Sequence, residues 1–545
     1  MNTAAATLGA LLVALALVGC SAGPDSGDDD DHDDHDAGPD GPDGGAPFEF
    51  VRCETPADPL PELLEDRRVY QPETTPEVLE VELSILDAAA FEDVNENVEG
   101  ALAPVIFRSG GVGDGVGTAN ATIQVRGGAS RVNKQKNYKI KLTVDGQTWR
   151  SQREINLNKH MWDLTRVRNK MAFDLFRSIP NFTSLRTQFV HMTVDGEDYG
   201  LYTWIEEAEK RFLVDHGLDP DGQIYKPTIF FFAPIEPEVV ADPLQMDEVI
   251  EPKANADHAK LLRMIDAVND EEQDIDAVID TYFNRANLET WLAVNVLLNN
   301  IDTLTQNYFL YSPSSCEGWY FLPWDYDAAW GFYGQLEEDD RKRWERGLST
   351  YWPSFLFRRY FTRIANVEAV HDRILALADG VLTDEAVAER LAAYHDLIEP
   401  YIAAPADLYD LPGHYGDMTA QDGIDLWDAE QDRISTTPSR FLAEYLDVRE
   451  RPMPIRIVFL GGSPAEFHWE DAFDLQHDPI TYDFQVSWTS EFEPADIVAE
   501  TLGMTGDDAT ASLDAGTYYW RVIIRDGHAD SWQLPIDPYK EIVIP

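Results

Sequence analysis

Hydrophobic periodicity changes twice along this chain, and the order of the changes limits the folds open to it. Val78-Leu-Glu-Val-Glu-Leu-Ser-Ile85, Ala121-Thr-Ile-Gln-Val-Arg126 and Tyr138-Lys-Ile-Lys-Leu142 alternate with a period of two, the pattern of strands with one buried face. The third puts Lys139 and Lys141 on the same face. Asp145-Gly146 is a hairpin-type turn, and Thr187–Val194, Asp195-Gly196 and Tyr199–Ile205 read as a hairpin. The spacing predicts a helix over Arg166–Arg177. After Ala254 the apolar spacing becomes helical, with predicted helices over Ala259–Val268 and Leu288–Leu298, the second N-capped by Asn287. Two short strands, Asn307–Tyr311 and Trp319–Pro323, precede further helices that run to about residue 449. Strands followed by helices predict an α+β domain over residues 48–451. Alternation returns in Phe467–Trp469, Tyr482–Trp488 and Thr517–Ile524, which predicts an all-β sandwich over residues 452–545.

The 545 residues carry 99 Asp and Glu against 42 Lys and Arg, a formal charge of −57. Such a surface repels nucleic acid, so nucleic acid is excluded as a general partner. Three cysteines exclude a disulfide-dense scaffold and a Cys-rich zinc module. Residues 1–20 are apolar, short and end in small residues, which suits a signal peptide better than a membrane span. Leu17-Val18-Gly19-Cys20 resembles a bacterial lipobox, so Cys20 is the expected lipidation site and the membrane an expected partner through that anchor. The expected location is the bacterial cell envelope, as an exported lipoprotein. Residues 21–47, with the run Asp28-Asp-Asp-Asp-His-Asp-Asp-His-Asp36, have nothing apolar to pack and form an expected acidic, disordered tether. Cys53 and Cys316 remain as a pair that an exported chain can oxidise; sequence does not say whether they meet.

Charge placement contradicts overall composition in one segment. Residues 126–170 hold twelve Lys and Arg against three acidic residues. A strongly anionic chain that concentrates cations in this way is built either to hold an anion, phosphate above all, or to pair its own carboxylates. A complement lies downstream. Asp302 and Asn307 stand in D-x4-N spacing between a predicted helix and a predicted strand, and Pro323-Trp-Asp325-Tyr-Asp327 follows the next strand. In protein kinases an Asp and an Asn so spaced receive the substrate hydroxyl proton and bind a metal ion, and an Asp beyond the following hairpin binds Mg²⁺.

Six ordered blocks resemble the CotH family of atypical, secretory-pathway-like kinases. They are Arg126-Gly-Gly-Ala-Ser130 with Lys136-Asn-Tyr-Lys-Ile-Lys-Leu142, Asp163 with Arg168-Asn-Lys-Met-Ala172, Gly200-Leu-Tyr202 with Glu206, Ile224-Tyr-Lys226, Asp302 with Asn307-Tyr308, and Pro323–Asp327. Gly128-Ala129 departs from the polar residues more usual in the first block. The resemblance implies a kinase-like fold, ATP with Mg²⁺ or Mn²⁺, and transfer of the γ-phosphoryl group to Ser/Thr of a protein substrate. Carried onto this sequence, it makes Asp302 the catalytic residue and Asn307 and Asp325 metal ligands, with Asp327 a second candidate. Lys141 is the expected phosphate contact, with Lys139 as the alternative. Glu206 either pairs with that lysine or touches a second metal. Arg168 and Lys226 are supporting cations or structural ion pairs. The competing reading is a catalytically inactive surface adhesin or scaffold on the same fold. Beyond these blocks, Gly516-Thr-Tyr-Tyr-Trp-Arg-Val522 resembles the late strand of fibronectin type III-like domains, which implies an immunoglobulin/fibronectin-like sandwich over residues 452–545.

Overall fold

The computed structural model describes Cys53 and residues 77–545, apart from 133, 180–181, 256–257, 336–338, 340 and 409–418. The expected signal peptide, Cys20 and acidic tether lie outside the described residues. Alternating apolar residues build a seven-stranded closed barrel from β1 (Val78–Ile85), β2 (Ala103–Arg108), β3 (Ala121–Arg126), β4 (Asn137–Leu142), β5 (Glu154–Asn158), β6 (Thr187–Val194) and β7 (Glu197–Ile205). The strand order is β1-β2-β3-β4-β5-β7-β6, and a parallel pairing of β1 with β6 closes it. Val81, Leu83, Ile123, Ile140, Leu157 and Trp204 fill its interior. Because Ile140 points inward, Lys139 and Lys141 stand outside, opposite Asn156 and Glu154 of β5.

A second sheet has the order β11-β10-β8-β9, from β8 (Gln223–Pro227), β9 (Ile250–Ala254), β10 (Tyr308–Ser312) and β11 (Tyr320–Pro323). It packs on the helix Arg285–Leu298 through Trp291, whose ring stacks 4.5 Å from that of Phe321. This helix starts earlier than its apolar spacing predicts. Asn284, not Asn287, is the N-cap, and its side chain accepts the Asn287 N–H at 2.9 Å. Asn287 instead fixes β11, its Nδ2 donating to the Phe321 carbonyl at 3.0 Å and its Oδ1 accepting the Phe321 N–H at 2.7 Å. The helix Arg168–Ser178 begins two residues after the predicted start. Cys53 and Cys316 form a disulfide, with Cα atoms 5.1 Å apart.

From Ile457 the chain is all-β. One sheet is β12-β13-β16, from β12 (Ile457–Gly461), β13 (Ala465–Trp469) and β16 (Asp508–Ala511). The other is β15-β14-β17-β18 with β19 also on β17, from β14 (Thr481–Ser487), β15 (Ile497–Met504), β17 (Gly516–Arg525), β18 (Trp532–Gln533) and β19 (Lys540–Ile544). Phe467, Trp469, Phe484 and Trp520 from both sheets share one core. This region seats against the helices: Trp352 stacks on Phe473 at 5.5 Å, and Trp344 Nε1 donates to the Ile536 carbonyl at 3.1 Å. Among the described residues no helix is long and apolar enough to cross a membrane.

Gly200 shows how one sequence block serves the fold. Its φ is +83°, and a Cβ there would stand 2.1 Å from Asp407 Oδ2. The same carboxylate accepts the Leu201 N–H at 2.6 Å and pairs with buried Lys159 at 3.0 Å, whose ammonium lies 4.4 Å from the centre of the Tyr202 ring. Gly200→Ala therefore both strains the backbone and breaks a buried ion pair. It should lower the thermal midpoint by roughly 5–10 °C; a melt within a degree of wild type would contradict this packing.

Candidate active site

The carboxylates are set by the hairpin of β10 and β11. The pairing of Tyr308 with Pro323 places Asn307 and Trp324 side by side at its open end. Helix Arg285–Leu298 ends at Asn299 in the left-handed region, φ 53°, and a short 3₁₀ turn, Ile301–Thr303, carries Asp302. Asn307 Nδ2 donates to Asp302 Oδ2 at 2.6 Å, and Gln306 Nε2 to Oδ1 at 3.2 Å. Asn307 and Asp325 both have positive φ, 61° and 54°. Such backbone is costly outside glycine and clusters at functional sites. Asp325 is held there from below. The Tyr326 N–H donates to Asn169 Oδ1 at 3.1 Å, and the Tyr326 ring is buried against Phe173 and Phe176. Asp327 lies 3.7 Å from His160 Nδ1.

These three aspartates crowd one another. Part of Asp302 reaches solvent, yet burial pushes its carboxyl up to about 7, and the charge of Asp327 adds to this against the two amide hydrogen bonds. Burial, then Asp327 and Asp302, raises Asp325 well above the carboxylate range, opposed by Lys226 and Arg126. Carboxylates that resist ionisation together call for a cation among them. No three His, Cys, Asp or Glu side chains form a ready-made metal cage among the described residues. Mg²⁺ does not need one, since it binds through one or two carboxylates, water and substrate phosphates. The oxygen donors Asp325, Asp327 and Asn307 fit that chemistry.

The cations come from both sheets. Arg126, at the end of β3, donates to Asn158 and lies 5.8 Å from the centre of the Trp324 ring, which itself packs 5.0 Å from Phe309. Lys226 of β8 stands 3.9 Å from Glu251 of β9. Glu207 joins the two groups. Burial would raise its carboxyl, but Lys139, Lys253 and Arg126 hold it down at about 2, helped by Asn156. Arg126 thus acts on both Glu207 and Asp325, and Lys139 acts on Glu207. The loop after Arg126 is tightly turned. Gly127 has φ +95°, its carbonyl accepts Arg131 Nε at 2.6 Å, and Ser130 Oγ accepts Asn137 Nδ2 at 3.0 Å.

Glu206 and Arg168 are held in internal ion pairs, and Lys141 shares its partner with Lys139. Lys141 is about half exposed and pairs with Glu154 at 3.2 Å, one step along the strand from Lys139, which pairs with the same carboxylate at 2.9 Å. Glu206 is buried and accepts from Arg186, from His216 at 2.8 Å and from Gln152 at 3.3 Å, facing away from the lysines. Arg168 is fully buried between Asp163 and Glu430. Its carbonyl accepts Trp330 Nε1 at 3.0 Å, so it supports the aspartate turn rather than lining the cleft. Arg126, Lys253, Glu207 and Asn169 are additions. Glu207 is adjacent to the expected glutamate, just beyond the end of β7.

The fold and site define an α+β protein in which Arg126 of a barrel and Lys226 of its neighbouring sheet oppose clustered aspartates. The chain belongs to the CotH family, since residues 123–435, more than half its length, match the family described as CotH kinase protein. It is 25% identical over 292 residues to the inner spore coat protein H of Bacillus subtilis (strain 168), covering 51% of this chain and 77% of that protein.

Raising the carboxyl of Asp302 from 3.8 to about 7 has a stability consequence. The folded state binds more protons than the unfolded one between those values, so stability falls as pH rises through that window. In metal-free protein at pH 8, Asp302→Asn should be more stable than wild type by about 1–3 kcal/mol. The gap should close as pH falls from 7 toward 4. Equal denaturation midpoints at pH 8 would remove the burial argument.

Proposed function

We propose that this chain is an exported, lipid-anchored kinase that transfers the ATP γ-phosphoryl group to Ser/Thr hydroxyls of surface proteins. The observation that supports the reading is that Arg126 and Lys226 act on Asp325, beside Asp302 with its partner Asn307 and Asp327, while Arg126 also acts on Glu207 together with Lys139 and Lys253. Phosphoryl transfer needs little else: cations and metal around the phosphates, and a carboxylate at the attacking hydroxyl. Asp302, with a proton affinity near neutrality, receives the hydroxyl proton as the oxygen bonds to the γ-phosphorus and ADP departs. Asn307, Asp325 and Asp327 hold Mg²⁺ or Mn²⁺, which when bound neutralises phosphate charge. Lys139, rather than Lys141, orients the phosphates, and Glu207 fixes that lysine in the manner of the lysine–glutamate pair of kinases. Lys226 and Arg126 flank the aspartates.

Residues 48–451 form the kinase-like domain and 452–545 a fibronectin type III-like sandwich. The helix Thr437–Val448 and the first sandwich strand at Ile457 bracket that boundary. Export is supported by the Cys53–Cys316 disulfide, since such bonds persist in oxidising compartments, and by the spore-coat relative. Lipidation at Cys20 rests on the lipobox-like sequence. The scaffold reading leaves the strained, mutually repelling aspartates without a purpose.

Purified full-length protein should transfer label from γ-labelled ATP with Mg²⁺ or Mn²⁺, and Asp302→Asn should lower the rate by at least about 100-fold. Lys139→Met should cost far more than Lys141→Met; the reverse order would return the phosphate role to Lys141. Cys20→Ala should release the protein from membranes, and unchanged sedimentation with them would refute the anchor.

A further inference from the structure

Asn307 and Gln306 hold the carboxylate of Asp302, but the backbone that presents it is held by a different part of the chain. Helix Arg285–Leu298 ends on Asn299 in the left-handed region, which asparagine tolerates at a helix end and which needs support to persist. The support is Arg341, which is 7% exposed and donates through Nη1 to Asn299 Oδ1. Its other donors are engaged as well. Nε and Nη2 donate to Asp339 at 2.9 and 2.6 Å, and Nη1 and Nη2 grip Glu444 of the helix Thr437–Val448 at 2.9 and 2.7 Å. Tyr351 takes the other side of the same loop. Its hydroxyl donates to the Asn300 carbonyl at 3.4 Å and lies 3.1 Å from Thr303 Oγ1. Asn300, Thr303 and Tyr351 are all buried.

The same segment grips the sandwich. The Arg343 guanidinium lies 3.5 Å from the centre of the Trp532 ring, and its Nε donates to the Trp532 carbonyl at 2.9 Å. Trp344 Nε1 donates to the Ile536 carbonyl, and Trp352 stacks on Phe473. Arg341 and Tyr351 thus touch the Asp302 loop, whereas Arg343, Trp344 and Trp352 touch the sandwich. Gly347, between them, lets the segment lie close against the helix Thr437–Val448. Its φ is +59°, and a Cβ there would stand 2.9 Å from Val448 Cγ2. A buried guanidinium whose five donors are all engaged leaves little slack, so a shift of the segment at the sandwich is felt at Asn299.

We propose that Arg341 and Tyr351 are positioning residues for Asp302, and that the sandwich, seated on Arg343, Trp344 and Trp352, sets them. The effect on turnover rests on the phosphoryl transfer proposed for Asp302. The sandwich then takes part in the transfer step without touching the reacting atoms, because it fixes the loop on which the carboxylate meets the attacking hydroxyl. Misplacing a reacting group by about 1 Å costs on the order of 100-fold in rate. Asp325, Arg126 and Lys226 stand on other elements, so nucleotide and metal bind as before when the loop slackens.

The test compares full-length wild-type protein with Arg341→Lys, which keeps the charge and loses the planar fork, and with Trp532→Ala, which removes the ring under Arg343. With saturating γ-labelled ATP and Mg²⁺, each variant should transfer label at least about tenfold more slowly. Its affinity for ATP with Mg²⁺, by calorimetry, should stay within about twofold of wild type. The amides of Asn299 and Asn300, which are hydrogen-bonded to helix carbonyls, should exchange with solvent at least about tenfold faster, while those of β1, β2 and β3 keep their protection. Should Arg341→Lys fail to fold, Glu444→Gln keeps the shape, removes the charge and takes its place. Exchange needs no turnover, so a wild type without transfer counts against the kinase reading, and exchange then decides this one. A wild-type transfer rate in either variant, unchanged exchange at Asn299 and Asn300, faster exchange throughout the barrel, or a matching loss of nucleotide affinity would each overturn the proposal.

Discussion

Mutual repulsion among Asp302, Asp325 and Asp327 is the constraint around which the rest of the cleft is arranged. Three carboxylates in partial burial are unstable together, and the protein does not relieve this by spreading them apart. It fixes them more firmly. Asn307 and Gln306 hold Asp302, Asn169 holds the backbone of Tyr326, and two positive-φ residues keep the turns in place. The compensating charge comes from distant sequence, Arg126 on β3 and Lys226 on β8. A site that holds like charges close before its ligand arrives is preorganised for a cation and for the anion that comes with it.

The basic segment divides into two populations that composition cannot separate. Lys159 pairs with Asp407, Arg168 with Asp163 and Glu430, and Lys170 with Asp174, all in the interior. Two of them, Lys159–Asp407 and Arg168–Glu430, tie the barrel and the helix behind the aspartate turn to later parts of the chain. Breaking a buried pair leaves an uncompensated charge, so each of them is a matter of fold integrity. Arg126 and Lys139 are the members of the segment whose charges reach the cleft carboxylates. Internal pairing therefore accounts for much of the cation excess, and Lys139 itself pairs with Glu154 at 2.9 Å.

Much of the architecture was legible because it follows from local periodicity. The strands Val78–Ile85 and Ala121–Arg126 occur with their expected bounds, as does Thr187–Val194 of the hairpin. Closure of the barrel by a parallel pairing of its first and sixth strands was not legible, since nothing local encodes it. Asn287 misled as an N-cap because its side chain serves β11, a contact set by tertiary packing. In the site, spacing identified the strand that bears the cations and the turns that bear the acids. It could not choose between Lys139 and Lys141, which share a face and one partner, Glu154, and differ in exposure. Nor could it see that Glu206 is absorbed by Arg186 and His216 while its neighbour Glu207 turns to the cleft. Those choices depend on which elements lie opposite, and that information is not in the strand itself.

The pairing of Arg168 with Glu430 spans 262 residues. The Arg168 carbonyl holds the Trp330 indole, and the neighbouring Asn169 holds Tyr326 of the turn that displays Asp325 and Asp327. A ribosome has therefore made every proposed site residue long before it supplies the counter-ion that completes their foundation. Up to that moment the emerging polypeptide holds a cation destined for the interior with only one of its two acidic partners. Completion of this support waits for the helix Ala420–Ser435, late in translation.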